Sequence, residues 1–483
     1  MALRDRLSPG QVLVMGEGTE RYETDVLGRR GRASWVALPR DTEDVREVLK
    51  WAYSYRAPFV VQGANTGPVG ACVPDTRGIQ GVLNMERCRG TFSIDPIDRT
   101  VTVSAGIDLA SLNDTLADHG LMLPIDLGAN PTVGGMVGAN TGGARLIRHG
   151  DVRRHVLGLE VVLPDEGATV LPLMRGLRKD NRGPDLKHLF VGSSGLLGVV
   201  TAAVLAVDPL PRQTAVALLQ PATEGDIFAL LARLEHRASD HLSAFELLSR
   251  PTLEAISRHR SADLRWPFRS AELPELVVLV ELSTGDAGSA SRPISEELAE
   301  IVAESAESGE ITDSWFGPAS QLWSLRHFAI DALRAEGPMI AFDLSTSRTS
   351  LLHLRRSLFD LVARLAPDAR PADFGHVADG GLHLIVTWPE TAGRESRTGE
   401  KETLSAAVYD LVEESGGTFS AEHGVGRDNE TSWRKHTPPE LWRLLATVKT
   451  MCDPLGLLGA LDLSDGPPPK DDAMEPKNDS SAS

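Results

Sequence analysis

Residues 124–150 read PIDLGANPTVGGMVGANTGGARLIRHG, with Gly134-Gly135 and Gly142-Gly143 on either side of Asn140-Thr141. Neither a helical period nor a strand alternation runs through them, so the sequence predicts one long irregular loop. Glycine at this density lets main chain close on a ligand where side chains would block it, a reading preferred here over a surface loop made of turn residues. A shorter segment, Gln62-Gly-Ala-Asn-Thr-Gly67, directly follows the apolar strand PFVVQ and offers backbone N–H groups to phosphate oxygens. Neither segment is a dinucleotide fingerprint, because G-x-G-x-x-G opening a helix and an acidic residue about 20 positions on are both missing. A nicotinamide-type site is therefore disfavoured.

Around the glycine segments, DTEDVREVLKWAYSY from Asp41 sets Val45, Val48, Leu49 and Ala52 on one helical stripe behind a capping Asp. TVTVSAG, HVLGLEVVL and LLGVVTAAVLAV read as strands, and DLASLNDTLADHG as a helix closed by Gly120. Residues 1–208 are thus expected to form an α+β domain. Beyond it the helical patterns GDIFALLARLEHR and LLHLRRSLFDLVARLA alternate with the strands ELVVLVELS and GLHLIVTW, a second α+β domain over residues 209–400. The polar run PETAGRESRTGEKE is expected to be a loop, and ETLSAAVYDLVEESGG an amphipathic helix within a helical region over residues 401–463. Residues 464–483, rich in proline, serine and charge, lack the apolar content to offset ordering entropy and are expected to be a disordered tail.

The 483 residues, 41% of them apolar, suffice for two or three domains with a substantial core. Lys and Arg number 49 against 67 Asp and Glu, and a net charge of -18 without a basic tract speaks against nucleic acid and anionic membrane as partners. Cys72, Cys88 and Cys452 are odd in number and far apart, which supports neither a disulfide framework nor an iron–sulfur cluster. No stretch has the length of a membrane span and the N-terminus lacks a continuous apolar core, so a cytoplasmic protein is expected.

Two later segments carry metal-ligand chemistry. FGHVADGGLHLIV, residues 374–386, holds His376 and His383, and FSAEHGVG, residues 419–426, holds Glu422 beside His423. Two histidines and a carboxylate suit zinc, manganese or iron with an open position, and the remaining histidine is a proton acceptor beside it. Each histidine alone reads more readily as a hydrogen-bonded structural residue, and the spacing of the set by itself leaves both readings open. Period-2 alternation puts His383 and Ile385 on one face of their strand, with Leu382, Leu384 and Val386 on the other.

QGANTG, the stretch of residues 123–167, GLRKDNRGPDLKHLFVGSSGLLGVVT, GHVADGGLHL and SAEHGVG occur in the order found in FAD-linked oxidases of the vanillyl-alcohol-oxidase type. Over roughly residues 22–461 the chain resembles their D-2-hydroxy-acid dehydrogenases, such as D-2-hydroxyglutarate and D-lactate dehydrogenases. The resemblance implies an α+β fold: a PCMH-type FAD-binding domain of two α+β subdomains, an α+β cap on an antiparallel sheet, and a small helical C-terminal part. It implies FAD pyrophosphate on Gly63, Ala64, Asn65, Thr66 and Gly67. Pro124, Asp126, Thr132, Gly134, Gly135, Asn140, Thr141, Gly142, Gly143 and Val199 would surround the rest. Ala64 and Asn65 stand where some relatives carry a histidine bonded to the flavin, which implies non-covalent FAD.

The same resemblance makes His376, His383 and Glu422 ligands of a divalent metal, zinc or alternatively manganese or iron, and His423 the catalytic base. The implied reaction is oxidation of a D-2-hydroxy acid to the 2-keto acid, the metal acidifying the 2-hydroxyl, His423 taking its proton and flavin N5 the hydride. Arg326, in Leu-Trp-x-x-Arg, takes the place of the family's substrate-carboxylate arginine, suited to it by its bidentate fork. Ile330, Ala341 and Ile385 stand near positions where the 2-hydroxyglutarate enzymes carry polar residues, so a substrate other than 2-hydroxyglutarate is expected. The alternatives are a flavin oxidase or C–O bond-forming flavoenzyme on the same fold, or a non-catalytic flavoprotein subunit of an electron-transfer complex. The expected partners are a small-molecule 2-hydroxy acid and an electron acceptor of unknown identity, with a homodimer allowed.

Overall fold

A computed structural model describes residues 2–16, 18–262, 264–268, 272–285, 292–389 and 398–463. Short apolar runs near the start pair into a sheet of β1 (Val12–Val14), β2 (Trp35–Ala37), β3 (Phe59–Gln62) and β4 (Gly81–Asn84), in the order β1-β2-β4-β3. β4 runs parallel to β2 and β3, and α1 (Thr42–Tyr55) makes the crossover between those two. The Asp41 carboxylate caps α1 by accepting from the Asp44 N–H, and the helix buries Val45, Val48, Leu49 and Ala52.

An antiparallel sheet follows, made of β5 (Phe92–Asp95), β6 (Thr100–Ser104), β8 (Val156–Val162), β9 (Val170–Leu173) and β10 (Val199–Ala206), in the order β5-β6-β10-β8-β9. The two-residue strands β7 (Leu121–Met122) and β11 (Asp208–Pro209) pair with each other, and α2 (Leu109–Ala117) follows β6. Between β7 and β8 the glycine-rich stretch is not the single irregular loop its composition predicts. It holds α3 (Val133–Ala139), α4 (Leu146–His149) and α5 (Val152–His155). Three glycines in seven residues weaken α3 by about 1 kcal/mol each relative to alanine. It forms because Thr132 caps it at the Gly135 N–H, and because Val133, Met136 and Val137 are buried on one face. Gly134 is needed for close packing, since a Cβ there would stand 2.8 Å from that of Ala105.

The second half is built on seven strands, β12 (Gln213–Pro221), β13 (Leu242–Ser249), β14 (Leu276–Thr284), β15 (Ile311–Gly317), β16 (Met339–Ser345), β17 (Arg370–Gly375) and β18 (Gly381–Thr387). They order as β15-β12-β14-β13-β17-β18-β16, every pair antiparallel. Side-chain alternation sorts the faces. Leu219, Leu247, Val278, Leu382, Leu384 and Val386 pack with α6 (Asp226–Ala238), α8 (Ile294–Glu307), α10 (Arg348–Leu365) and α11 (Thr398–Glu414). Leu218, Leu248, Leu279, Phe374 and Ile385 pack with α7 (Arg250–His259) and α9 (Ala319–Ala335).

The polar run before α11 differs from expectation at its end, where residues 398–402 already form the first turns of the helix, with Glu400 in the opening turn where the helix dipole favours it. Residues 390–397 of that run and the 464–483 tail lie outside the described residues. α12 (Glu430–His436) and α13 (Pro439–Cys452) return the chain to the first sheet, where Leu458 bridges Phe59 of β3. Buried Lys449 secures that return by donating to the carbonyls of Leu196 and Leu458 and to Asp453.

Candidate active site

A cavity of 520 Å³ opens between the two glycine segments and the α9 face of the seven-stranded sheet. Gly63, Ala64, Asn65, Thr66, Gly67, Asp126, Thr132, Gly134, Gly135, Thr141 and Gly143 line it. The two segments meet at Gly63, where a Cβ would stand 2.2 Å from the Thr132 hydroxyl oxygen, so only glycine lets them close. Four residues assigned to the cofactor by sequence lie off the lining. Pro124 is buried, and Asn140 ends α3 with φ 52°, its amide donating to Asp151 at 2.6 Å. Gly142 lies against Glu422, and Val199 points into the core while its neighbour Val200 lines the cavity, because strand alternation gives the wall to the even position. Cys72, Phe190 and Ser193 to Gly195 also line the cavity; all but Cys72 lie in the stretch GLRKDNRGPDLKHLFVGSSGLLGVVT that carries the resemblance, which by itself assigns them no role. Burial pushes the Cys72 thiol up to about 12, so it stays protonated and donates to the Asn65 side-chain oxygen at 3.1 Å. A narrow cradle walled by main chain and glycine fits a long, flat, phosphorylated cofactor such as FAD.

The seven-stranded sheet supplies the other wall. His376 leaves the end of β17, His383 lies on β18, and Glu422 and His423 sit on a bent segment tied to β16 by the Asp343↔Ser420 bridge. The Nε2 atoms of His376 and His383 are 3.2 Å apart, and Glu422 Oε1 lies 3.5 Å and 3.4 Å from them. Tetrahedral ligands about 2.0–2.1 Å from zinc stand about 3.3 Å from one another, so this triangle has the size such an ion requires. His423 Nε2 is 3.9 Å from the same carboxylate oxygen.

The supporting shell is anionic. Glu246 of β13, which sequence reasoning missed, accepts from His376 Nδ1 at 2.6 Å and so turns Nε2 toward the cluster. Asp343, also missed, accepts the Glu422 and His423 N–H groups at 2.8 Å each and stands 3.4 Å from His423 Nδ1. Its other oxygen is buried without a hydrogen bond, 3.7 Å from His383 Nδ1. Donor atoms of Asp343, His383, Glu422 and His423 also lie within 4.8 Å of one another. The backbone bonds occupy only one Asp343 oxygen, so this group and the triangle of His376, His383 and Glu422 could each hold an ion, sharing His383 and Glu422. Burial alone depresses His376, but Glu246 and Glu422 outweigh it and hold its pKa well above the ordinary value. Burial and the facing His376 push His383 down to about 4.

Arg326 of α9 completes this wall. Its Nε donates to Glu246 at 2.6 Å and its guanidinium lies 4.6 Å from the centre of the Phe374 ring, with the side chain nearly buried. Glu246 thus joins Arg326 to His376. Ile330, Ala341 and Ile385 line the cavity beside Phe342 and Phe374, an apolar wall next to the cluster.

The C-terminal domain of FAD linked oxidases matches residues 210–461, and the FAD binding domain matches residues 33–171. The chain belongs to the FAD-linked oxidases. Among its relatives in this family, the mitochondrial D-2-hydroxyglutarate dehydrogenase of Bos taurus is 33% identical over 466 residues, covering 95% of this chain and 82% of that one. The D-2-hydroxyglutarate dehydrogenase of Xanthomonas citri pv. viticola is 30% identical, covering 91% of this chain and 92% of that one. This FAD-linked oxidase is an FAD-dependent oxidoreductase by family, and both of these relatives are 2-hydroxy-acid dehydrogenases by name. The fold is shared with p-cresol methylhydroxylase with substrate bound, at a TM-score of 0.73 and 16% identity over 94% of both chains.

Proposed function

We propose that the protein oxidises a D-2-hydroxy acid with an apolar side chain to the 2-keto acid, using non-covalent FAD and one divalent metal ion. The observation that carries this is the joining of Arg326, Glu246 and His376, which sets a carboxylate clamp beside the metal-ligand triangle in the same cavity as the glycine cradle. Arg326, which lines the cavity while its Nε is held by Glu246, receives the substrate carboxylate and fixes its distance from the cluster. His423, steadied by Asp343, takes the hydroxyl proton. An ion held by His376, His383 and Glu422 supplies Lewis acidity to the 2-hydroxyl, and FAD supplies the hydride acceptor.

The side-chain preference rests on Ile330, Ala341 and Ile385. A second carboxylate placed against them loses its hydration without gaining a partner, at about 1–3 kcal/mol, a loss of roughly 5- to 150-fold. Anaerobic flavin reduction with D-lactate, an aromatic D-2-hydroxy acid and D-2-hydroxyglutarate tests this, with metal analysis of the same sample. The expected order puts the dicarboxylate last; reduction by it as fast as by the apolar acids would refute the assignment.

A further inference from the structure

A groove of 770 Å³ on the FAD-binding half lies outside the cavity described above. Six cations line it, Arg153, Arg154, Arg175, Arg178, Arg182 and Lys187, against three carboxylates, on a chain whose net charge is -18. These cations come from α5, from the chain after β9 and from the 3-10 turn at 186–189, so no single run of sequence shows the patch. Asp180 pairs with Arg182 and Asp185 with Lys187. Arg154, Arg175 and Arg178 are exposed, and among the described residues no carboxylate makes an ion pair within 4.0 Å of Arg154 or Arg178, while Arg175 acts on Asp180 only at longer range. Leu177 and Leu186, 55% and 53% exposed, stand among them.

The groove backs onto the flavin cavity. Arg153 on its wall donates to the Val191 carbonyl at 3.0 Å, and Phe190, Ser193 and Ser194 of that same turn line the cavity. Ser194 also packs against Gly424, the residue after His423. One turn of chain therefore separates a positively charged surface groove from the place where the flavin and the catalytic segment meet.

We propose that this groove docks an acidic electron-carrier protein, which takes the electrons of the reduced flavin across this turn. The inference rests on the flavin reading. In each turnover the anionic reduced flavin gives one electron to each of two one-electron carriers and its proton to water, so flavin is reoxidised and both carriers are reduced. Concavity and the interleaved leucines suit a convex folded partner better than a flat anionic membrane.

The test uses holoprotein whose flavin is reduced by light, so it does not depend on any hydroxy acid being a substrate. Failure of every 2-hydroxy acid to bleach the flavin would sink the reaction proposed above and leave this measurement intact. Succinylated cytochrome c, made acidic, is the probe, and native basic cytochrome c the control. The wild type is expected to reduce the succinylated form faster at low salt, with a rate that falls as salt rises. Arg175→Glu with Arg178→Glu should slow that reduction and weaken binding of the oxidised holoprotein to the probe, each roughly tenfold. Flavin content and the rate with dichlorophenolindophenol should stay unchanged. Arg175→Ala alone should give a smaller loss of the same sign. Equal rates with both cytochromes, or an unchanged double variant, would overturn the proposal. So would loss of binding to phosphatidylglycerol vesicles with cytochrome reduction intact, which would assign the groove to a membrane surface.

Discussion

Glu246 is the side chain on which the two halves of the chemistry turn. It is 1% exposed, and although burial favours its neutral form, His376 and Arg326 hold it down to about 2, so it stays an anion at every working pH. Glu246→Gln keeps the volume but cannot accept from both partners with charge, leaving His376 Nε2 badly aimed and Arg326 free to swing. Metal retention against a chelator is expected to fall roughly ten- to hundredfold, and KM to rise, while FAD stays bound. Metal analysis after graded dialysis checks the first and steady-state kinetics the second; unaltered metal retention would reduce Glu246 to a buried structural acid. His376, His383 and Glu422-His423 are conspicuous in the sequence because polar ligands crowd two short glycine-bounded segments. Glu246 and Asp343 are not, because each is a single acid inside an apolar strand, LSAFELLS and MIAFDLS, and its role appears only when distant strands are laid side by side.

At the scale of elements, β16 and β18 bring the His–Glu cluster and the apolar wall of the cavity side by side. Their register sets Asp343 opposite His383 and Ala341 opposite Ile385, so one cross-strand pair stands at the His–Glu cluster and the next lines the cavity. Alternation along GLHLIVT already puts His383 and Ile385 on one face, but the partner strand cannot be read from sequence, since strands 40 residues apart pair only through the order of the whole sheet. The glycine stretch shows the opposite limit. Its composition conceals α3, because the cap at Thr132 and the burial of Val133, Met136 and Val137 outweigh glycine's poor helical propensity. If the Ala341 and Ile385 pair excludes a second carboxylate, Ala341→Lys with Ile385→Asn should raise kcat/KM for D-2-hydroxyglutarate relative to an apolar D-2-hydroxy acid by roughly tenfold or more. Assaying both substrates with the double variant checks it; an unchanged ratio would place the specificity elsewhere.

For the whole molecule, the cavity exists only while its two halves stay docked, and Arg145 is a principal link. It leaves the glycine stretch between α3 and α4, binds Glu281 of β14 at 2.7 Å and 3.0 Å, and holds Asp126 of the cavity wall at 2.8 Å. Glu281 is 1% exposed and is further satisfied by Ser243 and the Trp323 indole N–H. Burial raises its pKa, yet Arg145 and these donors outweigh that and hold it below the ordinary value. A carboxyl group depressed in the folded state stabilises fully above its unfolded pKa of about 4.3, and that contribution drains as pH falls below it. Arg145→Ala removes the partner and leaves a buried charge, a loss of about 3–5 kcal/mol at neutral pH. Without the arginine, burial should lift Glu281 above its unfolded value, and the sign of the linkage reverses, with stability lost as pH rises through the new pKa. The gap in Tm between wild type and Arg145→Ala should therefore be wider at pH 8 than at pH 5, and Arg145→Ala with Glu281→Gln should narrow it. Thermal melts of the three holoproteins at both pH values check this; a gap independent of pH would mean that Arg145 acts by packing rather than by charge.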